Sequence, residues 1–578
     1  MFEHTQQFHV LAVDDDPDML AEIHRELRES SDVVLCLAET QEQATELLRN
    51  HYFDLAIVDI VLGPGGGQGG GYEVLREMSE RAPNATAIVA SAFGVDRGLA
   101  GLVGAPAPRI RAVVAKDEGE EWVTELVGEA VNEWRQAVVD LQNLQLVMEL
   151  LSAAKRRRRI PNLRDADALA LEIDRLCRQL FGNVTGVGAH NVRVRLDTIE
   201  RQGLSAAVTV RAEVQLGRDQ QGTPVQGTTC VLKLGPCDDI REEVERYESF
   251  VKYGVRLRHR VELLGHAYDQ SLGAISYSFA GGVFGESLTS LDQVLTAEAD
   301  DSLFNDILDH LFAADTQNKN WYAVHGPPMN PVRFVRQSYG TKFDRCIAVT
   351  NDVADKLQNR YPGRIRHKRH DQRNNGELRV EEAKLVIPKA GIWGTGPFVR
   401  VYPTCLVHGD MHGGNVMAEI SNGEVMRVCL IDYRSAGLGP RSLDWVALEA
   451  SVRLAHALEL VESADAGREE EVPEDMLLTT IAHAARAEPA ERRLLAHIWD
   501  GAPIPEVNHG WAGRVAEIAR RARANFQDMT ETDYLATALP CAFRQLGYDI
   551  GTVGRIRMLA WVSALCRRVD ATSARSAM

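Results

Sequence analysis

Short apolar runs alternate with amphipathic stretches from the start of the chain. Val10-Leu11-Ala12-Val13 ends in the acidic cluster Asp14-Asp15-Asp16 and then Pro17. The run predicts a buried strand, and Met19, Ile23 and Leu27 share one face of a following helix. Strand Val33–Cys36, helix Gln41–Asn50 and strand Leu55–Val58, ending at Asp59, continue the alternation. Ala87–Ser91 and Ala112–Lys116 extend it. Such strand-helix units predict an open parallel sheet, whose site lies at the carboxyl ends of its strands. Those ends carry Asp14, Asp15, Asp59, Ser91 and Lys116.

From about Glu120 the periodicity predicts one amphipathic helix reaching about residue 154. Trp134, Ala137, Leu141, Leu144, Met148 and Leu151 follow the 3-4 spacing of a coiled-coil seam. A homodimer through residues 134–151 and a helix packed on its own domain both satisfy that spacing. The run Lys155–Arg159, followed by Pro161, reads as a solvated hinge.

Beyond it comes a helix over 162–182, then alternating strands around Val192-to-Leu196 and Val208-to-Val214. Between them, Gln202–Ala207 is a small-residue hairpin that would let backbone N–H groups approach phosphates, with Gly203 and Ser205 as the candidates. Lys233 lies inside the apolar strand Thr228–Leu234 and needs a partner if buried. Helix 238–253 puts Ile240, Glu243, Val244 and Tyr247 on one face, so Glu243 is the natural partner and Glu245 the second choice. Residues 325–400 read as an irregular insertion. Its basic stretch Arg364–His370 is either a solvated loop or a cover for an acidic substrate. From 476 onward the chain reads as packed helices.

The densest chemistry is His408-Gly409-Asp410-Met411-His412-Gly413-Gly414-Asn415, followed by Ile431-Asp432-Tyr433, with the second acid 22 residues past the first. Apolar runs before each acid predict two strand-to-loop junctions. Phosphoryl transfer from a nucleotide needs one carboxylate to take a proton from the attacking hydroxyl, and an amide and a second carboxylate to hold Mg²⁺ on the phosphates. Asp410, Asn415 and Asp432 fit those roles in that order. His408 and His412 are four apart, but on a loop without a neighbouring glutamate, which makes zinc the poorer reading. His408 reads as structural.

These residues resemble the aminoglycoside phosphotransferase and choline kinase group of protein-kinase-like folds. The resemblance implies ATP and Mg²⁺, a Lys233–Glu243 pair on the nucleotide phosphates and a structural acid at Asp444. It also implies a degenerate glycine-rich loop at Gly203 and Ser205, and an adenine hinge near 274–282. The absence of an arginine after His408 separates the motif from that of protein kinases. The first part, roughly residues 8–134, resembles the receiver domain of response regulators. This implies Asp59 as phosphoacceptor, Mg²⁺ on Asp14, Asp15 and Asp59, support from Ser91 and Lys116, and a histidine kinase as donor. Three features depart from that pattern: Asp117 after Lys116, Val113 at the switch-aromatic position, and the glycine-rich loop Gly63–Gly71.

Composition narrows the partners. The net charge of −18 argues against a general nucleic-acid binder. No apolar run long enough to span a bilayer and no leader pattern is present, and the nine cysteines never form C-x-x-C, so a cytoplasmic protein with free thiols is expected. The expected α/β architecture is a doubly wound receiver (1–134), a helical linker (135–160), and a two-lobed α+β kinase-like part (161–285 and 286–578). The expected function is a two-component phosphotransferase acting on a hydroxyl acceptor. The alternative is a catalytically inactive nucleotide-binding fold that serves as a regulated docking module.

Overall fold

The computed structural model describes residues 7–28, 30–62, 70–82, 84–91, 109–116, 121–136, 139–158, 166–181, 192–198, 207–215, 227–256, 259–269, 271–278, 288–296, 301–312, 322, 324–339, 341–371, 374–462, 469–503, 510–548 and 550–577. Contacts divide the chain into two compact units, Met1–Val244 with Glu262–Phe279, and Glu245–Val261 with Ala280–Met578.

The first unit opens with β1 (Phe8–Val13), α1 (Pro17–Leu27), β2 (Val33–Ala38), α2 (Gln41–Asn50) and β3 (Leu55–Asp59). It continues with α3 (Gly70–Arg81), β4 (Thr86–Ser91), β5 (Arg109–Ala115) and α4 (Glu121–Gln136). The five strands are parallel in the order β2-β1-β3-β4-β5. Successive side chains of a strand face opposite ways, so each strand feeds two cores. Phe8, Val10 and Ala12 pack with Leu20 and Ile23 of α1 and Val123 and Val127 of α4. Leu11 and Val13 pack with Leu48 of α2 and Leu75 and Met78 of α3. Both faces are covered, which is why these strands read as unbroken apolar runs.

The long helix expected over 120–154 is not formed. Helix α4 stops at Gln136, and Val139–Gln142 is a strand, β6, paired in parallel with β7 (Val192–Thr198). Helix α5 (Leu144–Arg158) starts anew after Asn143, which has φ +66° and donates from Nδ2 to Leu196 O at 3.1 Å. Asparagine enters that left-handed region more readily than most residues. Leu144, Met148 and Leu151 pack into the core beneath the sheet. The supposed dimer seam is therefore used internally, and the stretch read as a linker belongs to the next sheet.

That sheet has the order β10-β11-β9-β8-β7-β6, with β8 (Val208–Gln215), β9 (Thr228–Pro236), β10 (Leu263–Tyr268) and β11 (Leu272–Ser278). Helix α6 (Ala166–Phe181) packs on it through Leu169, Ile173 and Leu176, and α7 (Cys237–Arg246) follows β9. The hairpin holding Gly203 and Ser205, and the glycines at 281–282, lie outside the described residues. Within this unit the receiver touches the second sheet directly. Asn84 Nδ2 donates to His266 O at 2.8 Å, and the Arg178 guanidinium lies 5.8 Å from the Trp134 ring centre.

Among its described residues the second unit contains three small sheets. The first is β12 (Leu288–Ser290), β18 (Val416–Ser421) and β19 (Glu424–Leu430). The second is β13 (His325–Met329), β17 (Tyr402–Val407) and β20 (Gly437–Pro440). The third is β14 (Ile365–Lys368), β15 (Gly376–Val380) and β16 (Ala383–Ile387). Its helices are α8 (Leu291–Thr296), α9 (Asp301–Phe312), α10 (Pro331–Tyr339), α11 (Thr341–Arg360), α12 (Leu443–Glu462), α13 (Glu474–Asp500), α14 (Trp511–Asn525), α15 (Glu531–Gln545) and α16 (Gly551–Ala577). The expected irregular insertion is thus a helix pair and an antiparallel meander. Its basic stretch forms strand β14 rather than a loop, with Arg364 paired to Glu381 and both His367 and Arg369 to Asp355, while Arg364, Arg366, Lys368 and Arg369 stay exposed to solvent.

The packed helices expected after 476 are present. Their centre is ionic as well as apolar. Arg453, fully buried, pairs bidentately with Glu491 at 2.8 and 2.9 Å and with Glu449 at 3.0 Å, and Arg557 meets Glu491 at 2.8 Å. Buried charges persist only when neutralised by partners of this kind.

Candidate functional site

In the first unit, β1 and β3 end side by side and deliver their acids to one place. Carboxylate oxygens of Asp14, Asp15 and Asp59 all lie within 4.8 Å of one another. Asp14 and Asp59 are buried, while Asp15 is exposed. Lys116, just past β5, puts Nζ 2.9 Å from Asp14 Oδ1 and 2.7 Å from Asp59 Oδ2. Asp59 Oδ1 accepts the Val61 N–H at 3.1 Å, and Asp14 Oδ1 accepts the Asp16 N–H at 3.0 Å. Burial pushes the Asp14 carboxyl up, opposed by the Lys116 hydrogen bond, and leaves it above the usual range. Burial disfavours the Lys116 charge, but its hydrogen bonds to Asp14 and Asp59 outweigh that and raise its pKa. Three carboxylates against one ammonium leave a net negative, all-oxygen donor set, which fits Mg²⁺. Helix α3 starts against the Asp59 backbone: a Cβ on Gly71 would sit 2.1 Å from Asp59 O. Ser91 ends β4 opposite Ala115, and its side chain lies outside the described residues.

The same unit holds the lysine pair. Lys233 is in β9, an interior strand, opposite Thr209 on β8 and Ile275 on β11. Its Nζ lies 2.6 Å from Glu243 Oε2, and both residues are buried. Tyr277 donates its hydroxyl to Glu243 Oε1 at 2.9 Å. The partner expected from helical spacing is the one observed. Tyr277 was not foreseen, because its alignment with Glu243 depends on the β9–β11 register.

In the second unit, β17 ends at Val407 and the chain turns through His408 and Gly409 to Asp410. Asp444, fully buried at the start of α12, accepts the N–H groups of His408 and Gly409, each at 2.9 Å, and the Tyr322 hydroxyl at 3.2 Å. Burial raises its carboxyl, and His408 with those N–H groups opposes the rise. Gly409 has φ +83°, and a Cβ there would lie 2.2 Å from Ser435 O. His408 Nε2 lies 2.9 Å from Ile431 O; a carbonyl can only accept, so Nε2 carries the proton. This bond ties the Asp410 loop to the residue preceding Asp432. Asn415 ties it again: Nδ2 donates to Asp410 O at 2.9 Å, and its backbone carbonyl accepts the Ile431 N–H at 3.1 Å. Its side-chain NH₂ is thereby engaged, which orients the amide oxygen as the group able to meet a cation. Asp432 is half-buried and left-handed, with φ +64° and ψ +74°, a conformation costing a non-glycine residue about 1–2 kcal/mol. An amide oxygen and a carboxylate on interlocked loops suit a hard cation such as Mg²⁺.

One residue here had no signal in the sequence. Arg544, in α15, puts Nη2 2.8 Å from Asp410 Oδ1. Burial pushes the Asp410 carboxyl up, but the Arg544 guanidinium and then His412 hold it below the usual carboxylate range. Arg544 is 134 residues downstream in a helix without a motif, so only packing reveals it. Among the described residues, His408 and His412 join no cluster of three convergent His, Cys, Asp or Glu ligand atoms.

Residues 10–106 match the family model of the response regulator receiver domain, and residues 358–453 match that of the phosphotransferase enzyme family. The second match spans Asp410, Asn415, Asp432 and Asp444. A CheY-like receiver domain protein from Methanospirillum hungatei JF-1 is 22% identical, with a TM-score of 0.20, over 22% of this chain and 96% of that one. The signal receiver domain of an HD domain-containing protein from Pseudomonas fluorescens Pf-5 is 19% identical, with a TM-score of 0.20, over 22% of this chain and 96% of that one. No curated protein matches. No helix among the described residues is long and apolar enough to cross a membrane. The chain joins a receiver domain to a phosphotransferase-family domain.

Proposed function

We propose that the receiver takes a phosphoryl group from a histidine kinase and controls a domain that moves the γ-phosphoryl of ATP to a hydroxyl acceptor. In the receiver, Asp59 would attack phosphorus as the donor's N–P bond breaks. Lys116 would pair with the new acyl phosphate, and Asp14, Asp15 and Asp59 would hold Mg²⁺. In the kinase-like part, Asp410 would take the acceptor's hydroxyl proton. Lys233, held by Glu243, would bind nucleotide phosphates, and Asn415 and Asp432 would hold Mg²⁺. A bound Mg²⁺ supplies neutralisation of the phosphate charge. Asp444 and His408 would position the loop without touching substrate.

The observation that carries this reading is the double tie of the Asp410 loop to Ile431, through His408 and Asn415. Geometry of that kind holds a base and metal ligands in fixed relation, as phosphoryl transfer requires. The test is Mg²⁺-dependent ADP release from labelled ATP, lost in Asp410→Ala. Nucleotide binding without Asp410-dependent turnover would favour the docking-module alternative.

Receiver control is proposed to pass through the direct contact within the first unit. There Arg175 of α6 pairs with Asp269 at 3.2 Å, and its charge also acts on Asp54, just before β3. With α4 and α5 separated by β6, no continuous helix is available for the task. Asp59 phosphorylation should change turnover, and Asn84→Ala with Arg178→Ala should blunt the response while leaving receiver labelling intact.

A further inference from the structure

The phosphotransfer chemistry has no use for the basic stretch 364–370, but its strand helps to build an ordered cationic surface. Alternate residues of a strand face opposite ways. In the meander, Ile365, Leu378, Val380, Leu385 and Ile387 are buried and fix one face inward. The other face carries Arg366 and Lys368 of β14, Glu377 and Arg379 of β15, and Lys384 and Val386 of β16. Register sets these six in two rows. Arg366 stands opposite Arg379, which stands opposite Lys384. Lys368 stands opposite Glu377, which stands opposite Val386. Glu377 is the one carboxylate among the six. It accepts from Arg379 Nε at 2.8 Å and pairs with Lys384 Nζ at 2.5 Å. Arg366 and Lys368 are exposed, and the side chains of Arg379 and Lys384 are about half exposed.

Neighbouring strands lie about 4.8 Å apart. Like charges directly opposite each other destabilise a sheet. A row of three cations therefore opposes the fold, and one glutamate beside two of them offsets only part of the repulsion. The surface also reverses the sign of the molecule. The chain carries a net charge of −18, whereas residues 360–389 hold nine Lys and Arg against four Asp and Glu. Folding gains nothing from this row, but a ligand that brings the missing negative charge would.

The spacing favours an extended peptide. Arg366 and Lys368 are two residues apart on one strand, about 7 Å. A peptide laid along β14 presents every second side chain at that same interval. Acidic residues at alternate positions would meet Arg366 and then Lys368, with Arg379 and Lys384 beside the first. The guanidinium forks of Arg366 and Arg379 suit carboxylates. A nucleic acid fits less well. Its strand would run past two rows onto a chain of net negative charge, and this face offers no aromatic platform for a base. An anionic membrane meets the same repulsion, and no large apolar side chain on this face would enter it.

We infer that the exposed face of the β14–β15–β16 meander docks an extended acidic segment of a protein partner. This surface acts so whether or not Asp410 and Asp59 play the roles proposed for them.

The test uses the full-length protein at low salt, where charge is least screened. The probes are a fluorescent peptide of alternating glutamate and glycine, a fluorescent oligothymidylate of equal charge, and vesicles of phosphatidylserine in phosphatidylcholine. Anisotropy follows the first two and co-sedimentation the third. The peptide should bind at least tenfold more tightly than either of the others. Arg366→Gln with Arg379→Gln should weaken peptide binding at least tenfold. Arg193→Gln with Arg195→Gln removes the same charge from exposed positions of β7 and should leave binding within about twofold. The urea midpoint of the Arg366/Arg379 variant should be unchanged or higher, because the repulsive row is relieved. Tighter binding of the oligothymidylate or the vesicles overturns the inference in favour of that partner. Absence of peptide binding overturns it, as does an equal loss in the β7 variant, which would make the effect one of net charge. A clearly lower urea midpoint would give the row a role in the fold and overturn it too.

Discussion

The receiver site and the Asp410 loop both gather carboxylates, but by different means. In the receiver, each acid stands at the end of its own strand, and parallel pairing of β1 with β3 brings the ends together. Its counter-charge, Lys116, stands at a strand end too, and is legible from the same pattern. The Asp410 loop is held from outside: by Asp444 from α12, by His408 reaching Ile431, and by Arg544 from α15. A site assembled by repeating topology can be read from strand ends. A site assembled by long-range hydrogen bonds shows its reactive groups in the sequence but not what tunes them. The contrast can be tested through the consequences of single changes.

The largest effect belongs to Asp59→Asn. Incubation with a small phosphodonor and Mg²⁺ should label the wild-type receiver, and the substitution should abolish that label, since the asparagine amide offers no carboxylate oxygen to form an acyl phosphate. Acyl-phosphate label persisting on the variant would remove Asp59 from its role and with it the strand-end logic.

Next comes the division of labour in the second site. Asp410→Asn should lower turnover by about 10²–10⁴-fold while Mg-ATP affinity stays nearly unchanged. Asp432→Asn and Asn415→Ala should weaken Mg-ATP binding by at least roughly tenfold, because metal ligands act in the ground state. Calorimetric titration with ATP and Mg²⁺ separates the two. Equal loss of binding in Asp410→Asn and Asp432→Asn would break the assignment.

Lys233→Met should destabilise the first unit by about 3–5 kcal/mol by leaving the buried Glu243 carboxylate without the Lys233 ammonium. The double variant with Glu243→Gln should recover much of this, because Tyr277 can still donate to the amide oxygen. Urea midpoints for the set provide the measurement, and a double variant no better than the single would show that the pair is not the source of the loss.

The smallest effect concerns Asp54. Burial raises its carboxyl to about 6, against the His9 N–H bond and Arg175, with Asp269 adding to the rise. The unfolded chain gives up that proton near pH 4. Between about pH 4 and 6 the folded state therefore binds more protons than the unfolded one, and stability should fall as pH rises through that window. Asp54→Asn, which keeps an oxygen for the His9 N–H, should flatten this fall by roughly 3 kcal/mol. A urea midpoint with the same pH slope in both proteins would exclude Asp54 as its origin.

What the sequence determined by itself was local. Apolar runs of strand length placed β1 to β5 and their terminal residues, because period and burial are properties of a few consecutive side chains. Helical spacing selected Glu243 for Lys233 for the same reason. The order of groups around Asp410 was legible because phosphoryl-transfer chemistry demands those residue types close together in the chain. Tertiary structure decided the rest. The spacing from Trp134 to Leu151 satisfied a helix, yet pairing with β7 satisfied the backbone of Val139–Gln142 better, and Asn143 ended the continuity. Arg364 and Arg369 of the basic stretch found Glu381 and Asp355, which only the meander and α11 bring near. Arg544 reached Asp410 because α15 packs where it does. Hydrogen bonds and charge act through space over a few ångströms, and chain separation says nothing about which distant residue will occupy that space.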